Sequence, residues 1–189
     1  MNRDICRNVP KQRGVVIWIS GLPCSGKTTI GKGLEQKLSN EGFIISMLDG
    51  DVTRQGICSD LGFSKADRKE NIRRIAEISR LFSETGIITI CAFITPTEDL
   101  RAIAQKIVGE PYFVNAFVDT PPDICEKRDV KGMYKKARLG EITNFTGVSA
   151  PFEVPANPDI TLYTAEINPQ QTITRLYDYI LPIIKQHEK

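Results

Sequence analysis

The sequence predicts an α/β domain: a mainly parallel, five-stranded sheet covered by helices on both faces, in three layers. Three observations predict it. Apolar runs near residues 15–20, 43–48, 87–93, 113–118 and 160–163 alternate with segments of helical periodicity, the pattern of βαβ units with right-handed crossovers. The run Ile87-Ile88-Thr89-Ile90-Cys91-Ala92-Phe93 is almost uninterruptedly apolar, as expected of a strand buried on both faces of a parallel sheet. Glycine breaks and Ser/Thr-Pro-type starts separate the runs from the helices.

Composition bounds the rest. A chain of 189 residues fits one domain, which at that size buries about 70% of the surface that its unfolded chain exposes. The division expected is an arm at 1–13 and a single domain at 14–189. A formal charge of +2 gives no general attraction to polyanions, so neither nucleic acid nor a membrane is an expected partner. The N-terminus has no apolar core of a leader, and no apolar run has membrane-spanning length, so the expected location is cytoplasmic. Five cysteines, Cys6, Cys24, Cys58, Cys91 and Cys125, include no C-x-x-C pair, and the single histidine, His187, lies in a polar tail. That set argues against a disulfide framework and against structural zinc.

Taken in order, residues 1–13 are polar and basic and read as a mobile or loosely docked arm. The strand at 15–20 runs into Gly21-Leu22-Pro23-Cys24-Ser25-Gly26-Lys27-Thr28, which satisfies G-x-x-x-x-G-K-[ST] at each constrained position. A strand before this motif and a helix after it favour a phosphate-binding loop over a turn that merely contains two glycines. Its N–H groups would curl round phosphate oxygens, Lys27 would reach the β- and γ-phosphates, and the Thr28 hydroxyl, followed by Thr29, would face Mg²⁺. Cys24 is either a thiol activated by the loop or a small side chain filling it. A helix from Lys27 to about Ser39 puts Ile30, Leu34 and Leu38 on one face, and Glu41-Gly42 ends it.

The strand at 43–48 ends in Asp49-Gly50-Asp51, acids at the carboxyl edge where open α/β sheets bind ligands. Ser64-Lys65-Ala66-Asp67 has the form of a capping box, and the helix after it is expected to turn Ile72, Ile75, Ile78 and Leu81 inward. Thr95-Pro96-Thr97-Glu98 reads as a cap with proline at the first helical position, and Thr120-Pro121-Pro122-Asp123 reads the same way. Residues 127–147 break the rhythm: Lys127, Arg128, Lys131, Lys135, Lys136 and Arg138 are punctuated by Gly132, Gly140 and Gly147. Such a segment is either a lid over an anion, about 128–147, or a solvated basic helix face. A last helix from Asn168-Pro169 should pack Ile173, Leu176, Tyr177 and Ile180.

The loop alone does not separate switch, motor and kinase. No guanine-reading N-K-x-D is present, and the only D-x-x-G, Asp129 to Gly132, follows the fourth strand. The third strand ends in Phe93-Ile94-Thr95-Pro96 without an acid, leaving Asp49 and Asp51. That placement suits a small-molecule kinase, in which a carboxylate takes or orients the acceptor's proton while Lys27 and Mg²⁺ stabilise the transferring group. A kinase for another metabolite and a nucleotide-gated binding module stand as alternatives.

Several blocks then carry a resemblance. Leu48-Asp49-Gly50-Asp51 with Arg54, Asp60-Leu61-Gly62-Phe63-Ser64, Asp67-Arg68, Glu70-Asn71-Ile72-Arg73-Arg74, Lys131 to Arg138, Gly140-Glu141-Ile142 and Phe145-Thr146-Gly147 resemble, in order and spacing, the signature blocks of adenylyl-sulfate kinases across about residues 14–165. The resemblance implies a P-loop nucleoside triphosphate hydrolase-like fold, ATP as donor with Mg²⁺, and adenosine 5′-phosphosulfate as acceptor at its 3′-hydroxyl. It implies sulfate activation, a homodimer, and functional coupling to an ATP sulfurylase. Residue by residue it implies Asp51 nearest the acceptor hydroxyl and Asp49 beside the metal. Arg54, Arg68 and Asn71 would hold the phosphosulfate, with Phe63 and Phe145 on its adenine, Lys131 reaching in from the lid, and Arg128 on the ATP side. Two positions depart from the family pattern: Val52-Thr53 before Arg54, and Thr95 where bacterial relatives carry a serine regarded as a phosphorylated intermediate. The expectation is direct in-line transfer with no obligatory phosphothreonine.

Overall fold

The computed structural model describes residues 12–185. Its centre is the strand β1 (Val15–Ser20), whose six residues are all buried. Side chains alternate across a strand, so one run serves two interfaces. Val15, Ile17 and Ile19 join the cluster formed with the helices α1 (Lys27–Asn40) and α7 (Pro169–Ile184). Val16 and Trp18 join the opposite cluster, formed with α3 (Lys65–Glu84) and α4 (Glu98–Val108). A strand flanked in this way has no polar face, which is why it reads as a continuous apolar run.

The remaining strands are β2 (Ile45–Asp49), β3 (Ile88–Ala92), β4 (Phe113–Asp119) and β5 (Ile160–Tyr163). They form one parallel sheet in the order β2-β3-β1-β4-β5. The register pairs Ile19 with Ala92 and Ala92 with Asp49, so β1, β3 and β2 end level with one another. The crossover from β1 leads towards β2 and that from β4 leads to β5 on the other side, which opens a crevice at the carboxyl end of β1. Short helices α2 (Gly50–Thr53), α5 (Pro122–Arg128) and α6 (Met133–Arg138) lie along that edge. No helix among the described residues is long and apolar enough to cross a membrane.

The α3 start behaves as its capping box predicts: Ser64 Oγ accepts the Asp67 N–H at 3.1 Å, and the Asp67 carboxylate accepts the Ser64 N–H. Its inward face differs from the expected one. Ile72, Ile75, Ala76, Ser79 and Ser83 are buried, whereas Leu81 is 54% exposed. Nine residues at about 100° each place Leu81 half a turn from Ile72.

Two expected caps are also corrected. Helix α4 begins at Glu98 with Thr97 at its N-cap, and Thr95 instead has φ 42° and a hydroxyl that accepts the Trp18 Nε1–H at 2.9 Å. Helix α5 begins at Pro122 with Pro121 at its cap, because the Thr120 hydroxyl donates to the Ser25 carbonyl at 3.0 Å. In both places a tertiary partner outcompetes the local one. Strand β2 starts two residues late, since Phe43 turns into the core beneath α1.

The basic segment is not a wholly solvated face. Tyr134 and Ala137 on α6 are buried in a third cluster with Leu22, Cys125 and Phe145, while Lys135, Lys136 and Arg138 are exposed. Of the N-terminal arm only Gln12 and Arg13 are described, and both are docked: the Gln12 amide donates to the Ile44 and Gly86 carbonyls, and the Arg13 N–H to Ile184. Cys6 and His187 lie outside the described residues.

The corrected α3 face is testable by urea denaturation. Ile75→Ala, at a fully buried position, should lower stability by about 2–5 kcal/mol. Leu81→Ala should change it by no more than about 0.5 kcal/mol.

Candidate active site

Gly21 opens the loop because a side chain cannot fit there: a Cβ would lie 2.7 Å from the Val118 carbonyl oxygen. The loop delivers the chain to α1 with Gly26 at the N-cap, no side-chain cap and no acid in the first turn. By contrast, α3 and α7 are capped by Ser64 and Asn168. The first N–H groups of α1 are therefore left for an anion, where the helix dipole also favours one.

Lys27 is 9% exposed, and its ammonium donates to the Gly21 carbonyl at 3.1 Å, the Leu22 carbonyl at 2.6 Å and the Ser25 hydroxyl at 3.5 Å. No carboxylate among the described residues pairs with it, and burial brings its pKa down to about 8. Other residues brace the loop from outside. The Ser25 carbonyl accepts from the Thr120 and Thr164 hydroxyls, each at 3.0 Å, and from Arg128 Nη1 at 3.2 Å. Arg128 Nη2 also donates to the Thr164 carbonyl at 2.7 Å, and the Tyr134 hydroxyl donates to Pro23 at 3.1 Å. Cys24 is half-buried with φ 60° and packs against the Tyr134 cluster.

Two strand ends away stand the acids. The Thr28 hydroxyl donates to Asp49 Oδ2 at 2.7 Å, while Asp49 Oδ1 accepts the Asp51 N–H at 2.9 Å and so caps α2. Thr53, one of the departures from the family pattern, donates its hydroxyl to the Asp49 carbonyl at 3.0 Å and fastens the same turn. The Asp51 carboxylate is free of the backbone and pairs with the Lys131 ammonium, which holds the lysine's pKa above its usual value. Both side chains are more than 60% exposed, so this pair is worth at most about 1 kcal/mol and yields readily to a better anion.

Beyond Asp51 lies a cationic and aromatic surface. Arg54 Nη1 donates to the Leu61 and Gly62 carbonyls at 3.1 and 2.9 Å, and its guanidinium sits 4.4 Å from the centre of the Phe63 ring. Arg68 approaches the same ring at 5.7 Å, with Nε on the Phe63 carbonyl and Nη2 on Asn144, the residue before Phe145. Burial, then the neighbouring Arg54 charge, pull the Arg68 pKa below its usual value. Phe63 is 59% exposed, far more than an aromatic in a core. Asn71 is 3% exposed, yet its Oδ1 has no hydrogen-bond partner. An orphaned buried acceptor costs about 1–3 kcal/mol until something donates to it.

The structure thus brings Lys27, Thr28, Asp49, Asp51 and Lys131 together, and Arg54, Phe63 and Arg68 together. Phe145 sits apart from an open face: it is 9% exposed and packs edge-on against Tyr134 with ring centres 5.0 Å apart. Arg73 is engaged by Glu70 as a surface pair. Thr95 is 1% exposed. Asn144 and Thr164 take part without having been singled out by the sequence, where Thr120 reads only as a cap and Tyr134 only as part of the block Lys131 to Arg138. The rule that ligand-facing residues cluster at strand carboxyl ends would have found Thr120 and Thr164, which follow β4 and β5.

Comparison with known proteins identifies the family. The sequence model of one family, described as adenylylsulphate kinase, matches residues 13–163. An adenylyl-sulfate kinase of Bacteroides fragilis is 54% identical over 94% of this chain and 88% of its own length. One from Escherichia coli O6:K15:H31 is 48% identical over 93% of this chain and 85% of its own. Among solved structures, the Mycobacterium tuberculosis APS kinase CysC in complex with AMPPNP and APS superposes with a TM-score of 0.87 at 39% identity, covering 89% of this chain and 98% of that one.

The buried ammonium predicts a pH effect. Phosphate binding favours protonated Lys27, so affinity for a non-hydrolysable nucleoside triphosphate should be full below its pKa of about 8. Above that pH it should fall by up to about tenfold per unit, because binding must then take up a proton. Calorimetric titrations from about pH 7 to about pH 9.5 would show the slope in the wild type and a flat profile in Lys27→Arg, whose side chain stays charged throughout.

Proposed function

The chain belongs to the adenylylsulphate kinase family, and from that premise we propose that it transfers the γ-phosphoryl group of ATP to the 3′-hydroxyl of adenosine 5′-phosphosulfate. The products are 3′-phosphoadenosine 5′-phosphosulfate and ADP, the chemistry of sulfate activation. One arrangement carries the assignment: the hydrogen-bonded path from Thr28 through Asp49 to Asp51 and Lys131 joins the phosphate loop to the surface that bears Arg54, Phe63 and Arg68.

Gly21 to Thr29 cradle the donor phosphates, with Lys27 on the β- and γ-oxygens and Arg128 towards the nucleotide. Thr28 and Asp49 would hold Mg²⁺. Their adjacent hydroxyl and carboxylate are oxygen donors suited to a hard cation, which takes its other ligands from phosphate and water. When bound, the ion neutralises charge on the transferring phosphates. Arg54 and Arg68 offer guanidinium forks to the phosphosulfate oxygens. The Asn71 amide adds a polar contact, and exposed Phe63 stacks on the adenine, with Phe145 joining it once its edge-on packing against Tyr134 opens. Lys131 leaves Asp51 for the transferring group, and Asp51 then accepts or orients the proton of the 3′-hydroxyl. The segment at 128–147 acts as the lid of a single kinase domain at 14–189. A homodimer, coupling to an ATP sulfurylase and a cytoplasmic location belong to the same proposal.

A coupled assay of ADP release compares adenosine 5′-phosphosulfate with nucleoside monophosphates and sugars as acceptors. Turnover only with the phosphosulfate is expected, and none with it would defeat the assignment. In the same assay Asp51→Asn should lower kcat by about 10²-fold or more. Its nucleotide dissociation constant should stay within about threefold of wild type, since the loop is untouched. An unchanged kcat would remove Asp51 from its role.

A further inference from the structure

Arg101 lies outside the reaction site, yet its side chain is only 3% exposed. A buried charge is costly unless its donors are used. Here each of the three guanidinium nitrogens is engaged. Nη1 donates to the Thr95 carbonyl at 2.9 Å, Nε and Nη2 donate to Glu98 Oε2 at 2.9 and 2.7 Å, and Nη2 also donates to the Glu153 carbonyl at 2.8 Å. Glu153 completes the arrangement from the other side. Its N–H donates to the Pro96 carbonyl at 2.8 Å, and its carboxylate accepts the Glu98 N–H at 2.7 Å. It caps α4 in place of Thr97, which makes no capping bond of its own.

These bonds fasten two parts of the molecule. One is the corner after β3, where the Thr95 hydroxyl is already held by Trp18. The other is the foot of the lid, where the Phe145 N–H donates to the Ser149 hydroxyl at 2.9 Å, the Gly147 N–H to the Ala150 carbonyl at 2.8 Å, and Phe152 stacks on Phe117. Gly147 lies directly on the phosphate loop: a Cβ there would stand 2.9 Å from Leu22 Cδ2. The Ser25 carbonyl of the donor loop is held by Thr120, Thr164 and Arg128, none of which bonds to Arg101 or Glu153, and among the described residues the rest of the lid adds only the Tyr134 hydrogen bond to Pro23.

We infer that Arg101 and Glu153 are positioning residues that lock the foot of the lid, and with it Phe145, to the corner after β3, and so set affinity for the acceptor rather than the donor. The inference rests on the adenosine 5′-phosphosulfate assignment above. Glu153 is exposed, so its replacement tests the lock without emptying a core.

Steady-state kinetics with each substrate varied in turn provide the test. Glu153→Ala should raise KM for adenosine 5′-phosphosulfate about five- to tenfold, with KM for ATP and kcat within about twofold. Glu153→Gln keeps an oxygen that can accept the Glu98 N–H, and should restore the acceptor KM to within about twofold of wild type. Arg101→Lys keeps the charge but loses the fork, and should reproduce the effect of Glu153→Ala. An unchanged acceptor KM in Glu153→Ala, an equal rise in both KM values, or no rescue by Glu153→Gln would overturn the lock. Wild-type protein that releases no ADP with the phosphosulfate would instead defeat the assignment beneath it, whereas active wild type without the KM split defeats the lock alone.

Discussion

The carboxyl edge of the sheet depends on one hydrogen bond, from the Thr28 hydroxyl to the Asp49 carboxylate at 2.7 Å. Strand β3 lies between β2, which ends in Asp49, and β1, whose loop leads to Thr28 at the start of α1, so the bond bridges an intervening strand end. It forms because the parallel register brings Ile19, Ala92 and Asp49 to one height. A slip of one residue would turn Asp49 to the opposite face and separate the loop from its acid. Apolar patterning on both faces of β1 holds the register, so the packing of the core sets the geometry of the chemistry.

Electrostatics complete the arrangement locally. Lys27 is a buried cation whose partners among the described residues are all neutral, and Arg68 is a desolvated cation beside Arg54. Both clusters become favourable when anions arrive, while the formal charge of the whole chain is only +2. The attraction is therefore a property of two small surfaces rather than of the protein's overall field. Lys131 and Asp51 sit between them, paired but exposed, where the pair can separate at little cost.

What was legible in the sequence follows from how local each signal is. Gly21 to Thr28 could be read directly, because consecutive residues carry that constraint. Asp49 and Asp51 were legible from their place after an apolar strand, and Ser64 with Asp67 from a spacing of three. Thr95 and Thr120 misled because a threonine before proline looks like a cap, whereas the Trp18 N–H and the Ser25 carbonyl, far away in the chain, took their hydroxyls. Leu81 misled because an apolar residue was counted without its angle on the helix. Arg101 and Glu153 left no local trace, since their pairing spans 52 residues and runs through a backbone carbonyl.

Thr95 now bears on the course of the reaction. The residue is 1% exposed, its hydroxyl accepts the Trp18 N–H, and its carbonyl is held by Arg101, so the side chain already has a structural task. Asp51 stands on the path from the donor loop to the arginines, held only by an exposed pair with Lys131. Such a site favours a single in-line displacement, with the acceptor hydroxyl attacking the γ-phosphorus directly. The stereochemical course of transfer from ATP chiral at its γ-phosphorus tests this most directly. A single displacement predicts inversion of configuration in the 3′-phosphate of the product. Retention would mean two displacements through a phosphorylated enzyme and would contradict the account.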